Sequence, residues 1–302
     1  MGERLDGRAI AAQVQEELLV DIARLKREHD LVPGLAVVLV GDDPASQSYV
    51  RAKGRACEAL GTHSEQIDLP ANATTKDVLA TVERLNADDA IHGILIQLPL
   101  PGQDEQQVLN AIDPNKDVDG LHPVNLGRLV RQEECFWPCT PHGVLHILSR
   151  SGIEVDGQHV VVVGRSTLVG RPVAILLGHK AAGANATVTL CHTGTRDLGH
   201  FTRQADILVV AAGFPRGITA DMVKEGAVVI DVGVNQIDDS SRERGWRLVG
   251  DVDYKQVRPK ARAITPVPNG VGPMTIALLL YNTVWAAKRQ VRLAGREYRP
   301  SI

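Results

Sequence analysis

Hydrophobic residues along the chain change their spacing several times, and these changes predict helices and strands. The first pattern places Ile10, Val14, Leu18, Ile22 and Leu25 three or four residues apart. This spacing puts all five side chains on one side of a helix, so it predicts an amphipathic helix with a buried face.

After this helix, short apolar runs alternate with helical patterns. Continuous or β-branched runs predict strands at 35–40, 64–69 and 93–98. Between them, helices are predicted over 46–60 and from Thr74 onward, where Asp77 favours the first turn. Such alternation is typical of a parallel sheet covered by helices on both faces.

A second series of the same kind follows. It begins with the strand 160–163, passes through a helix near 171–179, and continues with strands at 187–191, 207–210 and 228–232. The pattern therefore predicts a second α/β domain.

The boundary between the two series is predicted in Cys135–Pro141, which has two prolines and two bulky aromatic residues. Pro273 is expected to open a last helix that returns to pack on the first domain. We therefore predict an α/β protein with two domains. The first consists of residues 1–140 and 271–302, and the second is a Rossmann-like domain of residues 141–270.

Composition and charge exclude several classes of protein. The 302 residues include 33 basic and 36 acidic ones, which is not the basic excess of a nucleic-acid-binding protein. Apolar runs are far shorter than the ~20 residues that a membrane helix needs. The segment Met1–Asp6 has no apolar signal core, and four cysteines are too few for a disulfide framework, so we expect a cytoplasmic protein.

One short stretch contains four potential zinc ligands, namely Cys135, Cys139, His142 and His146. The two pairs lack the long spacer that is usual in structural zinc sites. The alternative is that Cys139 lies in a loop and the histidines start a helix. We predict no metal site.

A nucleotide-binding turn is predicted where Val160–Val163 runs into Gly164-Arg165-Ser166 and, after Gly170, into a helix. Such a turn lets backbone N–H groups and a helix N-terminus approach a pyrophosphate. The spacing is not the usual G-x-G-x-x-G, and a tight turn without a ligand is the alternative.

The residues after the next strand indicate which dinucleotide would bind. NAD sites usually carry an acidic residue at this point, whereas this strand ends in His192-Thr193. Arg165 and Thr193 would suit the 2′-phosphate of NADP, although Arg165 could instead pair with a structural carboxylate. Val234, after a later strand, is either a ribose contact or a core residue.

Candidate catalytic groups come from three segments of the first domain. Ser46, Tyr49 and Lys53 share one helix face, which would frame a flat substrate or simply be solvated. Gln97 follows an apolar strand at its carboxyl end, where ligands tend to bind. The segment Lys116–Gly120 either presents a carboxylate or is a solvated turn.

Taken in order, these motifs closely resemble those of the bifunctional methylenetetrahydrofolate dehydrogenase/cyclohydrolase family. The matches run through nearly the whole chain, so similarity of fold alone is a poor explanation. The matching segments are Ser46-x-x-Tyr49-x-x-x-Lys53, Gly93–Pro101, Lys116–Gly120, Pro138–Pro141, Val163–Ser166 and Pro266–Pro273.

The resemblance implies oxidation of 5,10-methylenetetrahydrofolate with NADP, followed by hydrolysis of the methenyl product to 10-formyltetrahydrofolate. It makes Lys53 the main catalytic group, tuned by Gln97, with Asp119 bonded to the pterin and Tyr49 stacked on the folate. It implies a homodimer and no metal. Further folate contacts would be Ser46, Ile96, Leu98, Pro268, Gly270, Val271 and Gly272. Cofactor contacts would be Gly164, Arg165, Ser166, Thr193 and Val234.

The chain departs from the family pattern at two positions. Asn269 stands where a glycine is typical, and Gly194 where relatives often carry a basic residue. Two other hypotheses remain at this point. An amino-acid or shikimate-type dehydrogenase would have no need of the Tyr49, Lys53 and Gln97 set, and a non-catalytic NADP sensor would be expected to have lost Lys53 or Gln97.

Overall fold

The computed structural model describes residues 1–291. Elements are numbered in chain order. The helices are α1 (Gly7–His29), α2 (Pro44–Leu60), α3 (Thr75–Ala87), α4 (Glu105–Ala111), α5 (Pro123–Val130), α6 (Cys139–Arg150), α7 (Gly170–Leu177), α8 (Leu198–Thr202), α9 (Tyr254–Val257) and α10 (Val271–Gln290). The strands are β1 (Glu3–Arg4), β2 (Gly34–Val40), β3 (His63–Leu69), β4 (Gly93–Ile96), β5 (His159–Val163), β6 (Thr187–Cys191), β7 (Ile207–Val210), β8 (Val228–Asp231), β9 (Asn235–Asp238), β10 (Trp246–Val249) and β11 (Ala263–Ile264).

The chain divides into two compact units. The three-stranded unit contains residues 12–139 and, from 276 onward, the rest of α10. The six-stranded unit contains residues 1–11 and 140–275. This division differs from the predicted boundaries at 1–11, because β1 pairs in parallel with β11. It also differs at 271–275, and residues 292–302 of the predicted first domain lie outside the described residues.

In the three-stranded unit the strand order is β3-β2-β4, and both pairs are parallel. All seven residues of the central strand β2 are buried, as its continuous apolar run predicted. The apolar stripe of α1 is buried as predicted, from Ile10 at 8% exposed to Leu25 at 0%. The predicted parallel sheet is therefore confirmed.

Local capping signals fix where α2 and α3 begin. Asp43 accepts a hydrogen bond from the backbone N–H of Ser46 at 2.8 Å, and Pro44 occupies the first turn of α2. A reciprocal pair of bonds between Thr74 and Asp77 caps α3. Because α2 begins at Pro44, Ser46 and Tyr49 lie in its first two turns and Lys53 in the next.

The six-stranded unit has the order β1-β11-β8-β7-β5-β6, and all its pairs are parallel. The chain leaves β5 for β6 on one side and then returns to β7 on the other. In open α/β sheets this reversal marks the crevice in which ligands bind. Apolar residues of β5, β7 and β8 form the core, and the predicted Rossmann-like fold is confirmed.

Several short elements were not predicted, among them α4, α5, β1, β11 and the antiparallel pair β9–β10. Some of them are too short to show a hydrophobic period, and others contain too few buried apolar residues to show one. The helix α6 begins at Cys139, inside the predicted boundary stretch, since Pro141 is tolerated in a first helical turn. Across residues 1–291, no helix has both the length and the apolar character that a membrane crossing would require.

Candidate active site

A direct hydrogen bond joins Lys53 and Gln97 in the three-stranded unit. The ammonium nitrogen Nζ of Lys53 donates to Oε1 of Gln97 at 2.9 Å. Lys53 is only 9% exposed, so α2 does not present it as part of a solvated face. The two residues lie 44 positions apart in the chain, and the fold brings them together as the motifs predicted.

The orientation of the Gln97 amide is fixed on both sides. Its backbone N–H bonds to the carbonyl of Val38 at 2.9 Å, which continues the β2–β4 pairing one residue past the end of β4. Its side-chain Nε2 donates to the carbonyl of Leu98 at 2.9 Å. With Nε2 held in this way, Oε1 is the atom that faces Lys53.

The loop from Lys116 to Gly120 runs beside β4, where the backbone N–H of Ile94 bonds to the carbonyl of Lys116 at 2.8 Å. Asp117 is 1% exposed and anchors the loop. Its carboxylate accepts from the N–H of His122 at 2.8 Å and from Nδ2 of Asn125 at 2.7 Å. The loop is therefore not a solvated turn, and Asp117 has a structural role within it.

Asp119 lies close enough to Lys53 for the charge of each residue to shift the pKa of the other. Burial lowers the pKa of Lys53, and the negative charge of Asp119 opposes that change. Burial in turn raises the pKa of the Asp119 carboxyl, which the positive charge of Lys53 opposes. Both shifts favour the neutral forms, so a proton can leave the lysine more easily here than in water.

Sequence reasoning missed two residues that support this arrangement. Asn282, on α10, donates from Nδ2 to the carbonyls of Val118 at 2.8 Å and Trp137 at 3.1 Å. The thiol of Cys139 donates to the Val118 carbonyl at 3.3 Å. Both hold the backbone next to Asp119. An asparagine within the apolar run of α10 was the signal that could have revealed the first.

The other predicted folate contacts fall into two groups. In the three-stranded unit, Ser46 and Ile96 are buried, Leu98 is half-buried, and Tyr49 is exposed at the start of α2. The remaining four, Pro268, Gly270, Val271 and Gly272, belong to the six-stranded unit.

Asn269 has φ +77°, the left-handed conformation that asparagine tolerates better than most residues. Its carbonyl accepts from the N–H of Arg8 at 3.3 Å.

In the six-stranded unit, glycines shape the turn between β5 and α7. Gly164 has φ +125°, and a Cβ at this position would collide with the carbonyl oxygen of Ala211. A Cβ on Gly170 would collide with the carbonyl oxygen of Gly164. Ser166 closes the turn, because its Oγ accepts from the N–H of Val169 at 3.1 Å. Only glycine fits at the two turn positions.

The predicted cofactor residues lie at the carboxyl ends of neighbouring strands. Val163 is in register with Cys191, so Arg165 and Thr193, each two residues further on, lie at the same end of the sheet. Both are exposed, and within the described part of the chain no carboxylate pairs with Arg165. Val234 is 46% exposed, which rules out the core-packing alternative.

All four cysteines are buried free thiols. His142 and His146 lie on α6 with their Nε2 atoms 3.2 Å apart. Within residues 1–291, no three His, Cys, Asp or Glu side chains are grouped so that they could hold a metal ion.

Comparison with known proteins identifies the family. The catalytic-domain model of the tetrahydrofolate dehydrogenase/cyclohydrolases matches residues 5–119, and their NAD(P)-binding-domain model matches residues 138–291. Bifunctional protein FolD from Dehalococcoides mccartyi (strain CBDB1) is 58% identical over 96% of this chain and 98% of its own length.

Solved structures agree. The FolD methylenetetrahydrofolate dehydrogenase/cyclohydrolase of Campylobacter jejuni is 47% identical with a TM-score of 0.90, covering 96% of this chain and all of its own. The Trypanosoma brucei enzyme, complexed with NADP cofactor and inhibitor, is 43% identical with a TM-score of 0.91, covering 96% and 99%. As its motifs predicted, the chain belongs to the tetrahydrofolate dehydrogenase/cyclohydrolase family.

Proposed function

We propose that Lys53 transfers protons in the reactions of this bifunctional enzyme. The enzyme oxidises 5,10-methylenetetrahydrofolate to 5,10-methenyltetrahydrofolate with NADP and hydrolyses the product to 10-formyltetrahydrofolate. The observation that carries the assignment is the bond from buried Lys53 to Gln97 at 2.9 Å. A buried lysine with one neutral partner can lose its proton and act as a base.

In the hydrolytic step, Lys53 would act on the attacking water. As the water oxygen bonds to the methenyl carbon, one of its protons passes to the neutral Nζ of Lys53. The resulting ammonium then returns a proton to the folate nitrogen as the carbon–nitrogen bond breaks. The hydroxyl proton of the intermediate leaves to solvent, which gives the neutral formyl group on the other nitrogen. Lowering of the Lys53 pKa by burial favours the neutral amine that starts this sequence.

The neighbours of Lys53 have distinct roles in this proposal. Gln97 orients the amine without adding charge, because its Oε1 is a neutral acceptor. Asp119, raised in pKa by burial, would hydrogen-bond the pterin. Tyr49, exposed at the start of α2, would stack on the flat ring system. Ser46, Ile96 and Leu98 would complete the folate contacts within this unit.

The six-stranded unit fits a dinucleotide. A Cβ at Gly164 or Gly170 would collide with a backbone carbonyl oxygen, so glycine allows the tight turn that leads into α7. A tight turn before a helix N-terminus lets backbone N–H groups approach a pyrophosphate. NADP, when bound, accepts the hydride of the oxidation. Gly164, Ser166 and Val234 would line its site.

The charge of the site supports NADP over NAD. Arg165, with no carboxylate partner among residues 1–291, would bind the 2′-phosphate together with Thr193. The loop after β6 carries Gly194 in place of a second basic residue, so the preference rests on Arg165. We also infer, from the family resemblance, that the enzyme acts as a cytoplasmic homodimer. The mass of the purified protein in sedimentation tests the oligomeric state.

Replacing Lys53 by methionine tests the catalytic proposal. Lys53→Met keeps an apolar stem in the buried site and removes the base, so we expect cyclohydrolase turnover to fall by about 100-fold or more. Binding of NADP should be unchanged in a fluorescence titration. Lys76→Met, which changes an exposed lysine on α3, is the matched control and should keep full activity. Undiminished hydrolysis by Lys53→Met would refute the role.

A further inference from the structure

The turn that follows β7 packs directly against the glycine turn that follows β5. The N–H of Ala211 donates to the carbonyl of Val163 at 2.7 Å, and the carbonyl of Ala211 occupies the space that a Cβ on Gly164 would need. Since the chain order reverses between β5 and β7, the ligand crevice of this sheet lies between these two turns. The segment 211–214 therefore forms one wall of that crevice.

A buried carboxylate holds this wall in place. Asp251, 1% exposed, accepts from the N–H of Ala212 at 2.7 Å, of Gly213 at 2.9 Å and of Phe214 at 2.9 Å. Nδ2 of Asn235 adds a fourth bond at 2.8 Å. Successive N–H groups that converge in this way form a nest for an anion. Here the anion is the side chain of the protein itself, so the shape of the turn depends on Asp251.

A second buried carboxylate fixes the backbone around Asp251. Asp231, at the end of β8, accepts from the N–H of Asp251 and of Val252, each at 3.0 Å. Burial raises the pKa of Asp231 to about 7. Glycines make the close packing possible, because a Cβ at Gly250 would collide with the Asp231 carboxylate and one at Gly233 with that of Asp251.

We propose that Asp251 is a positioning residue for the dinucleotide, because its carboxylate sets the shape of the 211–214 wall of the crevice. The inference rests on the proposed function, in that the crevice takes NADP. The N–H groups of residues 212–214 are all bonded to Asp251. The wall therefore presents the exposed side chains of Ala212 and Phe214, the latter 65% exposed. Asp251 would accordingly control cofactor affinity without touching the cofactor.

Asp251→Asn is the direct test. The amide keeps the size of the side chain but offers one acceptor oxygen where the carboxylate offered two, so donors on the turn lose their partners. In the full-length protein we expect the Kd of NADP, measured by calorimetry, and its KM in the dehydrogenase assay to rise about tenfold or more. Cyclohydrolase turnover should stay within about twofold, because Lys53, Gln97 and Asp119 belong to the other unit.

Asp206→Asn is the matched control. Asp206 also accepts a backbone N–H, that of His159 at 3.0 Å, and it pairs with Lys224. It lies just before β7, at the amino end of the strands, away from the crevice. We expect it to leave the Kd of NADP unchanged. Equal Kd values for the Asp251 and Asp206 variants would overturn the proposal.

Asn235→Ala decides the question if Asp251→Asn fails to fold, because it removes only one donor from Asp251. We expect the Kd of NADP to rise about twofold to fivefold, and an unchanged Kd would overturn the proposal. Failure of the unmodified protein to bind NADP would instead overturn the proposed cofactor. The two failures are therefore distinguishable.

Discussion

The proposed sites of the two units differ in whether side chains or the backbone form them. In the three-stranded unit, chemistry depends on side chains, since Lys53, Gln97 and Asp119 come from a helix, a strand end and a loop. In the six-stranded unit, the site is a backbone surface, shaped by Gly164 and by a turn that Asp251 holds. The first is sensitive to a change of charge, and the second to added volume.

Because of this difference, a conservative replacement does harm by a different physical cause in each place. Glutamate for Gln97 is similar in size, yet it would place a negative charge beside a buried amine. A single added methyl group at Gly164 changes no charge, yet it would collide with a neighbouring carbonyl. Substitutions of each kind can therefore test whether the two sites are independent.

Gly164→Val should have the largest effect. The bulky side chain collides with the Ala211 carbonyl, and valine is strained at φ +125°. The turn must move by an ångström or more, so we expect kcat/KM of the dehydrogenase with NADP to fall by about 100-fold or more. Cyclohydrolase turnover should be retained. Steady-state assays of both activities on one preparation give the result.

Gly157→Ala is the control for this prediction. Gly157 also has positive φ, at +70°, but within residues 1–291 no atom beyond its two chain neighbours lies within 4 Å of an added Cβ. It should cost about 1–2 kcal/mol of unfolding free energy through the left-handed backbone and leave both activities intact. If the Gly164 and Gly157 variants lose dehydrogenase activity equally, the loss reflects stability and the nucleotide site is not where we place it.

Gln97→Glu should have the next largest effect, and its sign follows from charge. A carboxylate in place of the amide stabilises the ammonium form of Lys53, so the pKa of Lys53 rises. The neutral amine is the base. At a fixed pH below the pKa of Lys53, the fraction of neutral amine falls about tenfold for each unit by which that pKa rises. The acidic limb of the cyclohydrolase pH–rate profile should therefore move to higher pH, and turnover near neutral pH should fall about tenfold.

Gln106→Glu supplies the comparison, because it introduces the same charge on the exposed side of α4. Its pH–rate profile should coincide with that of the unmodified enzyme, since a solvent-exposed charge is screened. A Gln97→Glu enzyme whose profile keeps its position would mean that Lys53 is not the group that titrates in the rate.

The sequence was most informative where a residue conflicted with its surroundings. Gln97 after an apolar strand and the glycines around 164–170 both indicated ligand sites. The long apolar patterns of α1 and β2 helped to predict the α/β fold. The boundaries 1–140 and 271–302 missed that the first strand joins the six-stranded sheet. A two-residue strand such as β1 carries no period, and its partner β11 is 260 positions away.

Roles that depend on distant partners could not be read from the chain. In Lys116–Gly120 the sequence offered three charged residues, and only the fold separates them. Asp117 is buried and accepts from the N–H of His122, just before α5, whereas Asp119 is coupled to Lys53. Likewise, Asp251 looks like an ordinary loop carboxylate until the turn at 212–214 is seen to converge on it.

Lys116→Met should have the smallest effect on catalysis, and it separates the role of Lys116 from that of Lys53. Nζ of Lys116 donates to the carbonyls of Leu85 at 3.0 Å, Asn86 at 2.8 Å and Asp88 at 2.7 Å, so it caps the end of α3. Burial lowers the pKa of Lys116, and this desolvation offsets part of the gain from three hydrogen bonds. We therefore expect a loss of about 1–2 kcal/mol in unfolding free energy, measured in urea.

Both activities of Lys116→Met should remain within about twofold when the enzyme is assayed well below its unfolding midpoint, because Nζ of Lys116 bonds to three backbone carbonyls at the end of α3. The two substitutions would then differ clearly, since Lys116→Met would lower the unfolding free energy and Lys53→Met would lower cyclohydrolase turnover. If Lys116→Met instead lost cyclohydrolase activity at full stability, the charged loop would act as one catalytic unit, and its division into anchoring and reacting residues would be wrong.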